Sequence, residues 1–333
     1  MSRHAITLIF SDGESRRFDA EAGARLVQAA GEAGYQLLAD CGEGNCGTCM
    51  ASLLSGEVTL GEYDRYTLVD EDRAGGAILP CVTALDGPCV IEFPYEFSEC
   101  MAAQAEPRQG RIAAVQRVAA QTLRLDVALE QAPGFLPGQY VHLGPPQADW
   151  ARAYSMANAP GADRLSFYVR ELDNGRFSGW LAQAAAGQAI SVGAPRGAFF
   201  LRDEARPRLF VAGGTGLAPI LSMLRALADG PAPACGGPMH ILVGARSGAH
   251  LFAQEELAGL AARIPGTVVH WAAEQDAPAG CHAGRVTELI EAMQLAADTR
   301  AYVCGPPAMV EAVRQSVVKA GAAGGDVLCE RFS

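Results

Sequence analysis

Four cysteines near the amino end constrain this chain most: Cys41, Cys46, Cys49 and Cys81 form C-x4-C-x2-C and then, after 31 intervening residues, a fourth cysteine. That spacing suits four thiolates around a [2Fe–2S] cluster. The intervening Gly42-Glu43-Gly44-Asn45 and Gly47-Thr48 are small or polar, as a backbone must be where it wraps a cluster and turns N–H groups toward sulfur. Buried structural thiols usually occur singly, and zinc sites usually pair cysteines in two separated C-x2-C clips. Three cysteines within nine residues, flanked by glycines, match neither pattern. The chain is therefore expected to carry a centre that passes single electrons.

At 333 residues the chain exceeds one ordinary core and predicts two or three domains. No run of about 18 apolar residues occurs, and Met1-Ser2-Arg3-His4 leads straight into alternating, strand-like sequence. A soluble cytoplasmic protein is expected, without a membrane partner. The remaining cysteines, Cys89, Cys100, Cys235, Cys281, Cys304 and Cys329, are scattered and expected to be reduced thiols. Charge is uneven: residues 1 to 100 hold 17 Asp and Glu against 6 Arg, and the rest holds 20 acids against 20 bases, so the whole net charge of −11 sits in the first segment. Such a field repels nucleic acid and would steer this segment toward a basic patch on another protein; a simple solubility role is the alternative.

The pattern along the chain is multidomain, α+β followed by α/β. In residues 1–99, Ala5 to Phe10 and Arg17-Phe18 suggest a hairpin around Asp12-Gly13. A helix over Ala24 to Gly34 and strands over Met50 to Leu54 and Cys89 to Phe93 complete a β-grasp-like unit. Residues between Glu99 and Gly110 lack periodicity, contain Pro107 and read as a linker. Over 107–205, strands at 111–117, 122–129, 139–143, 153–156, 165–169 and 189–192 predict an antiparallel barrel. Over 206–333, apolar strands at 209–212, 240–243, 268–271 and 301–303 alternate with helices such as 220–227 and 309–320, which predicts a doubly wound parallel nucleotide-binding sheet.

Arg152 and Tyr154 lie two apart on an extended strand and share a face, so a guanidinium could pair with a phosphate while the ring stacks on a flat cofactor. Taken separately, Arg152 could equally serve a surface ion pair and Tyr154 plain packing. Gly175-Arg176-Phe177-Ser178 reads as the start of a helix running to Ala185, with N–H groups available to a second phosphate oxygen. Gly213-Gly214-Thr215-Gly216-Leu217-Ala218-Pro219 follows a strand and precedes a helix, the setting of a phosphate-cradling loop, although Pro219 replaces the third glycine of G-x-G-x-x-G. Cys304-Gly305-Pro306-Pro307 follows the last apolar strand, so two loops at strand carboxyl ends converge on one crevice.

In this order the motifs resemble the ferredoxin–NADP reductase superfamily, and within it the three-domain reductase components of bacterial aromatic-ring oxygenases, over nearly the whole chain. The resemblance implies a [2Fe–2S] ferredoxin domain, an FAD-binding β-barrel and a nicotinamide domain. It assigns Arg152 to the flavin pyrophosphate, Tyr154 to the ring face and Ser155 to flavin N5, with Tyr168-Val169-Arg170 as a second flavin strand and Gly175 and Ser178 as the pyrophosphate turn. Gly214, Thr215, Gly216 and Pro219, with Gly305 and Pro306, would hold the nicotinamide cofactor. Cys304 would lie beside its C4 position, Glu330 would complete the polar set with Ser155, and Phe332 would be the aromatic that covers the flavin. Arg246 could meet a 2′-phosphate or solvent; the absence of a following Lys-x-Tyr favours NADH. The implied activity carries electrons from NADH through FAD and the cluster to a terminal oxygenase, with a Rieske non-haem iron dioxygenase of the benzoate type foremost. The alternatives are a di-iron hydroxylase or haem monooxygenase as partner, or an iron–sulfur redox sensor.

Overall fold

A computed structural model describes residues 3–332 apart from 40, 46, 48, 66, 103–106, 149 and 231–235. It divides into two compact units. The first comprises Met1–Ala105 with Arg196–Ala198 and Leu328–Glu330; the second comprises Glu106–Pro195, Phe199–Val327 and Arg331–Ser333.

In the first unit, strands β1 (Arg3–Ile9) and β2 (Ser15–Glu21) form the hairpin expected around Asp12-Gly13. Helix α1 (Leu26–Glu32) buries Leu26, Ala29 and Ala30, one apolar stripe of the predicted helix. There follow β3 (Ala51–Leu60), α2 (Asp70–Ala74), β4 (Ala77–Ile78), β5 (Thr83–Glu92) and α3 (Phe97–Ala102). The sheet order is β2-β1-β5-β3-β4, with β1 and β5 parallel in an otherwise antiparallel set. Strand β3 runs well past the expected Leu54 because Gly56 lets it bulge: its φ is +103°, and a Cβ there would stand 2.2 Å from the Pro88 carbonyl oxygen. The expected linker is narrower than read, since α3 reaches Ala102 and the next strand starts at Arg108; residues 103–106 lie outside the described part.

The second unit opens with β6 (Arg108–Ala119), β7 (Thr122–Ala128), β8 (Tyr140–Gly144), β9 (Arg152–Ser155), β10 (Arg164–Arg170), α4 (Arg176–Leu181) and β11 (Ala189–Val192). The order β10-β7-β6-β11-β8-β9 is antiparallel throughout. The Ala157 N–H donates to the Ser166 carbonyl at 2.7 Å, bringing the ends of the sheet together. Inside lie Leu125, Val141, Phe167 and Val169, all without exposed surface. Helix α4 stops at Leu181, one turn short of the expected Ala185.

The unit continues with β12 (Arg208–Gly213), α5 (Leu217–Asp229), β13 (Met239–Ser247), α6 (Gln254–Arg263), β14 (Thr267–Gln275), β15 (His282–Ala283), α7 (Val286–Glu291), β16 (Arg300–Gly305) and α8 (Pro307–Lys319), and the last strand is β17 (Val327–Arg331), whose Leu328–Glu330 group with the first unit. Its sheet order is β15-β14-β13-β12-β16-β17, and β12, β13, β14 and β16 run parallel. The first turn away from β12, to β13 on one side and β16 on the other, is the topological switch at which such sheets bind ligands. No helix among the described residues is long and apolar enough to cross a membrane.

Candidate active site

The cysteine loop is braced from one side. Gly44 has φ +70°, and a Cβ on it would stand 2.7 Å from Cβ of Tyr63, so the loop can lie against Glu62 and Tyr63 only as glycine. There the Asp64 N–H reaches the Gly44 carbonyl at 3.3 Å, and the Thr67 hydroxyl donates to the Asn45 carbonyl at 3.1 Å. Backbone N–H groups of Glu43 and Asn45 point at Sγ of Cys41, 3.5 and 3.4 Å away. Cys49 and Cys81 are buried with sulfurs 3.4 Å apart, among Leu68, Leu79 and Val82. Hydrogen bonds with the Cys41 and Cys49 thiols, then burial, push the Cys81 thiol far up. Crowded sulfurs in an apolar pocket, with N–H groups already aimed at one of them, are what a bound polycation would relieve, so the residues fit an iron–sulfur cluster. Cys46 lies outside the described residues, as does Cys235. Among the described residues no three ligating side chains already form a closed ion site.

On the barrel, Arg152 and Tyr154 occupy alternate positions of β9 as expected, opposite Leu143 and Val141 of β8. Arg152 is exposed and donates to the Ala151 carbonyl at 2.9 Å. The Tyr154 ring lies 4.7 Å from that of Phe177 on α4, and burial pushes its hydroxyl well up, with Arg152 opposing. Ser155 closes the strand, buried. On β10, Val169 belongs to the barrel core, so it can offer a cofactor only backbone; Arg170 is exposed, and the Tyr168 ring lies 4.6 Å from Phe252. Burial and then Glu256 push the Tyr168 hydroxyl up to about 12. Gly175 precedes α4, and a Cβ there would meet the Ser178 hydroxyl at 2.4 Å, which ties those two residues into one tight turn.

Across the sheet switch, Gly213 ends β12, and Gly214-Thr215-Gly216 form a 3-10 turn that runs directly into α5, with Pro219 buried in its first turn. A Cβ on Gly216 would stand 2.3 Å from the Cys304 carbonyl oxygen, and one on Gly213 would stand 2.3 Å from Sδ of Met309 and 3.0 Å from Cδ of Pro306. At Gly216 the two loops therefore meet through bare backbone, a gap that any side chain would fill, and they fit a dinucleotide pyrophosphate. Cys304 is fully buried and paired in register with Ala212. The Gly305 carbonyl accepts the N–H of Phe332 at 2.9 Å, and Arg331 is held by Glu311 at 3.1 Å. Glu330 lies buried on β17. Strand β10 packs against the Gly214–Gly216 turn, which sets the barrel strand assigned to the flavin against the loop assigned to the nicotinamide. Arg246 is exposed at the end of β13. Two residues that no motif marked, Ser222 and Arg225 of α5, bond to the backbone just beyond β9.

An antiparallel barrel set against the glycine turn of a parallel sheet defines a flavin- and nicotinamide-dependent oxidoreductase, and the thiol loop adds an iron–sulfur centre. Family models agree: the 2Fe-2S iron-sulfur cluster binding domain matches residues 9–86, the oxidoreductase FAD-binding domain 109–201 and the oxidoreductase NAD-binding domain 210–315. The toluate 1,2-dioxygenase electron transfer component of Pseudomonas putida is 36% identical over 99% of this chain and 98% of its own. The 2-halobenzoate 1,2-dioxygenase electron transfer component of Burkholderia cepacia is 33% identical over 93% and 92%. A crystal structure of a cytochrome P450 reductase from Amycolatopsis superposes with a TM-score of 0.68 at 27% identity, covering 98% of each chain. The ferredoxin reductase in carbazole 1,9a-dioxygenase shares the fold, with a TM-score of 0.65 at 23% identity over all of both chains. The chain belongs to the family of iron–sulfur flavoprotein reductases that are electron transfer components of oxygenases. It is an oxidoreductase that carries electrons from NADH through FAD and a [2Fe–2S] cluster.

Proposed function

We propose that this chain is the cytoplasmic, NADH-oxidising component of a system whose terminal oxygenase is a Rieske non-haem iron dioxygenase acting on an aromatic carboxylate of the benzoate type. The observation that supports hydride delivery to the flavin is the approach of β10 to the Gly214–Gly216 turn, the elements to which the resemblance assigns flavin and nicotinamide. The partner assignment is supported by relatives named for toluate, 2-halobenzoate and anthranilate dioxygenases. Bound FAD supplies the exchange between a hydride donor and one-electron acceptors. The chain's part is binding and alignment. Arg152 would hold the pyrophosphate, with Gly175 and Ser178; Tyr154 would cover the ring and Ser155 would hydrogen-bond its N5. Gly214, Thr215, Gly216, Pro219, Gly305 and Pro306 would fix the nicotinamide cofactor, with Cys304 and Glu330 ordering the reacting end and Phe332 excluding water until it enters. Cys41, Cys46, Cys49 and Cys81 would ligate the cluster. Domains at 1–99, 107–205 and 206–333 would carry these three sites.

A second reading, with a haem monooxygenase or di-iron hydroxylase as partner, draws on the superposition with a cytochrome P450 reductase and on 31% identity to the phenol 2-monooxygenase reductase component of a Pseudomonas. Reconstitution with purified terminal oxygenases of each class separates the two. Product formation with an aromatic-carboxylate dioxygenase, several-fold above that with the other classes, is the expected result; preference for a haem or di-iron enzyme would overturn the assignment.

A further inference from the structure

We propose that Asn158, Ser222 and Arg225 form a clamp that fixes the distance between the strand assigned to the flavin and the turn assigned to the nicotinamide, which makes them positioning residues for hydride transfer; this rests on the assignment of β9 and of Gly214–Gly216 given above. Asn158 lies three residues beyond Ser155 and is 7% exposed. Its side-chain oxygen accepts the Ser166 N–H at 2.8 Å, while Ala157 donates its N–H to the Ser166 carbonyl at 2.7 Å. The backbone that leaves β9 is thus stitched to β10 from both sides. The carbonyls of Ala157 and Asn158 are taken by the nucleotide-binding half instead. The Ser222 hydroxyl donates to the Asn158 carbonyl at 2.7 Å, and the Arg225 guanidinium donates to the Ala157 carbonyl while its other nitrogen pairs with Glu256 of α6.

Ser222 and Arg225 lie three apart and so project from one face of α5. That helix grows directly out of the glycine turn, and Ser222 follows Gly216 by six residues, about 9 Å of helix at 1.5 Å per residue. The route from Ser155 to Gly216 is therefore three residues of pinned backbone, the Ser222 hydrogen bond and less than two turns of helix, with the Arg225 bond entering the same helix one turn further on. A serine within α5 that is wholly buried among Leu221, Met223 and Leu224 has no solvation role, and without it the buried Asn158 carbonyl would lose its donor. Barrel and sheet also touch through the rings of Tyr168 and Phe252, a contact without direction. The two carbonyl bonds are directional and set register at the end of β9, and the Ala120 N–H, which donates to the Ala249 carbonyl at 3.0 Å, is a further directional tie at the β6–β7 turn.

The test uses the full chain with FAD and cluster bound. Ser222→Ala and, separately, Arg225→Gln are compared with the unaltered protein in anaerobic stopped-flow with NADH, with FAD and iron content measured on each. Because a misplacement of about 1 Å can cost roughly 100-fold in such a step, the expected result is a fall of about ten-fold or more in the rate of flavin reduction, with the NADH Kd changed less than about two-fold. The charge-transfer absorbance between oxidised nicotinamide and reduced flavin, which reports ring stacking and needs no turnover, should weaken in parallel. Ser222→Thr, which keeps the hydroxyl, should recover most of both. If Ser222→Ala fails to retain FAD, Arg225→Gln alone decides. Unchanged rate and absorbance in a variant that holds its cofactors would overturn the clamp. An unaltered protein whose flavin NADH does not reduce would overturn the underlying assignment, and the clamp with it.

Discussion

Replacing Gly216 with alanine should separate the two loops of the proposed nicotinamide crevice with little effect elsewhere. The new Cβ would fall 2.3 Å from the Cys304 carbonyl oxygen, 2.5 Å from its carbon and 2.8 Å from the Gly305 nitrogen, all of them backbone atoms of β16. Raising 2.3 Å to the 3.0 Å that real Cβ atoms keep means a movement of about 0.7 Å, and no side chain can rotate to absorb it. The cost in stability should be about 1–3 kcal/mol, the range for forcing a methyl group into close-packed structure. The cost in function should be of similar size, since the displaced residue is Cys304 beside the assigned hydride path, and about 0.7 Å there should lower the NADH-dependent rate by roughly 10- to 100-fold, about 1.4–2.7 kcal/mol in the barrier. Gly213→Ala is the internal comparison: its Cβ would meet chiefly the Met309 thioether, which can swing aside, so a loss of less than about five-fold is expected. The assay is anaerobic flavin reduction by NADH, followed by reduction with dithionite to confirm that flavin and cluster are intact. A Gly216→Ala protein that keeps its cofactors and reacts at the unaltered rate would refute the claim that these loops hold the nicotinamide through bare backbone.

Other expectations follow from the same geometry. Cys81→Ser should abolish the cluster absorbance and lower bound iron from about two per chain toward zero, whereas Cys89→Ser, at a buried thiol that burial alone pushes up to about 11, should leave iron content unchanged; equal iron loss in both would contradict the ligand assignment. Gly259→Ala, mid-helix in α6 with nothing within 4 Å of the added Cβ, should raise stability by about 0.5–1 kcal/mol in urea unfolding, and a loss would contradict the open setting of that face. Burial and the neighbouring His270 hold the His240 imidazole below its ordinary value, and its Nδ1 is buried without a partner among the described residues. The unfolded chain therefore binds that proton first, and this contribution to stability is complete above about pH 6.5 and lost as the pH falls below it. His240→Gln should flatten the decline in stability between about pH 7 and pH 5; an identical slope would rule His240 out as its source.

The candidate site could be read from the sequence because the chemistry assigned to it forces residue types. Thiolates need cysteines at fixed spacing, and the loop assigned to the pyrophosphate needs glycine where the backbones of Gly216 and Cys304 nearly touch. Strand positions were legible where one face is buried, as in β7, or where an apolar run is buried on both, as in β10, but lengths were not: β3 continues past Leu54 only because Gly56 finds room against Pro88, a tertiary fact. Helix α5 begins at Leu217, three residues before its expected start, because the 3-10 turn of Gly214–Gly216 passes into it without a break. Strand β17 was not read as a strand at all; five residues after a run of small ones carry little periodicity, although Glu330 within it was singled out for its chemistry. Ser222, Arg225 and Asn158 gave no signal, since a serine in an apolar helix acquires meaning only from the carbonyl it meets.

The central claim is an electron path from NADH through flavin to the cluster within this one chain. It is tested most directly by the visible spectrum of anaerobically purified protein, with iron, sulfide and flavin assays, before and after NADH is added. About two irons and one FAD per chain, with flavin and cluster bands that both bleach on NADH addition, is the predicted result. A protein without flavin, or a cluster that dithionite reduces and NADH cannot, would contradict it.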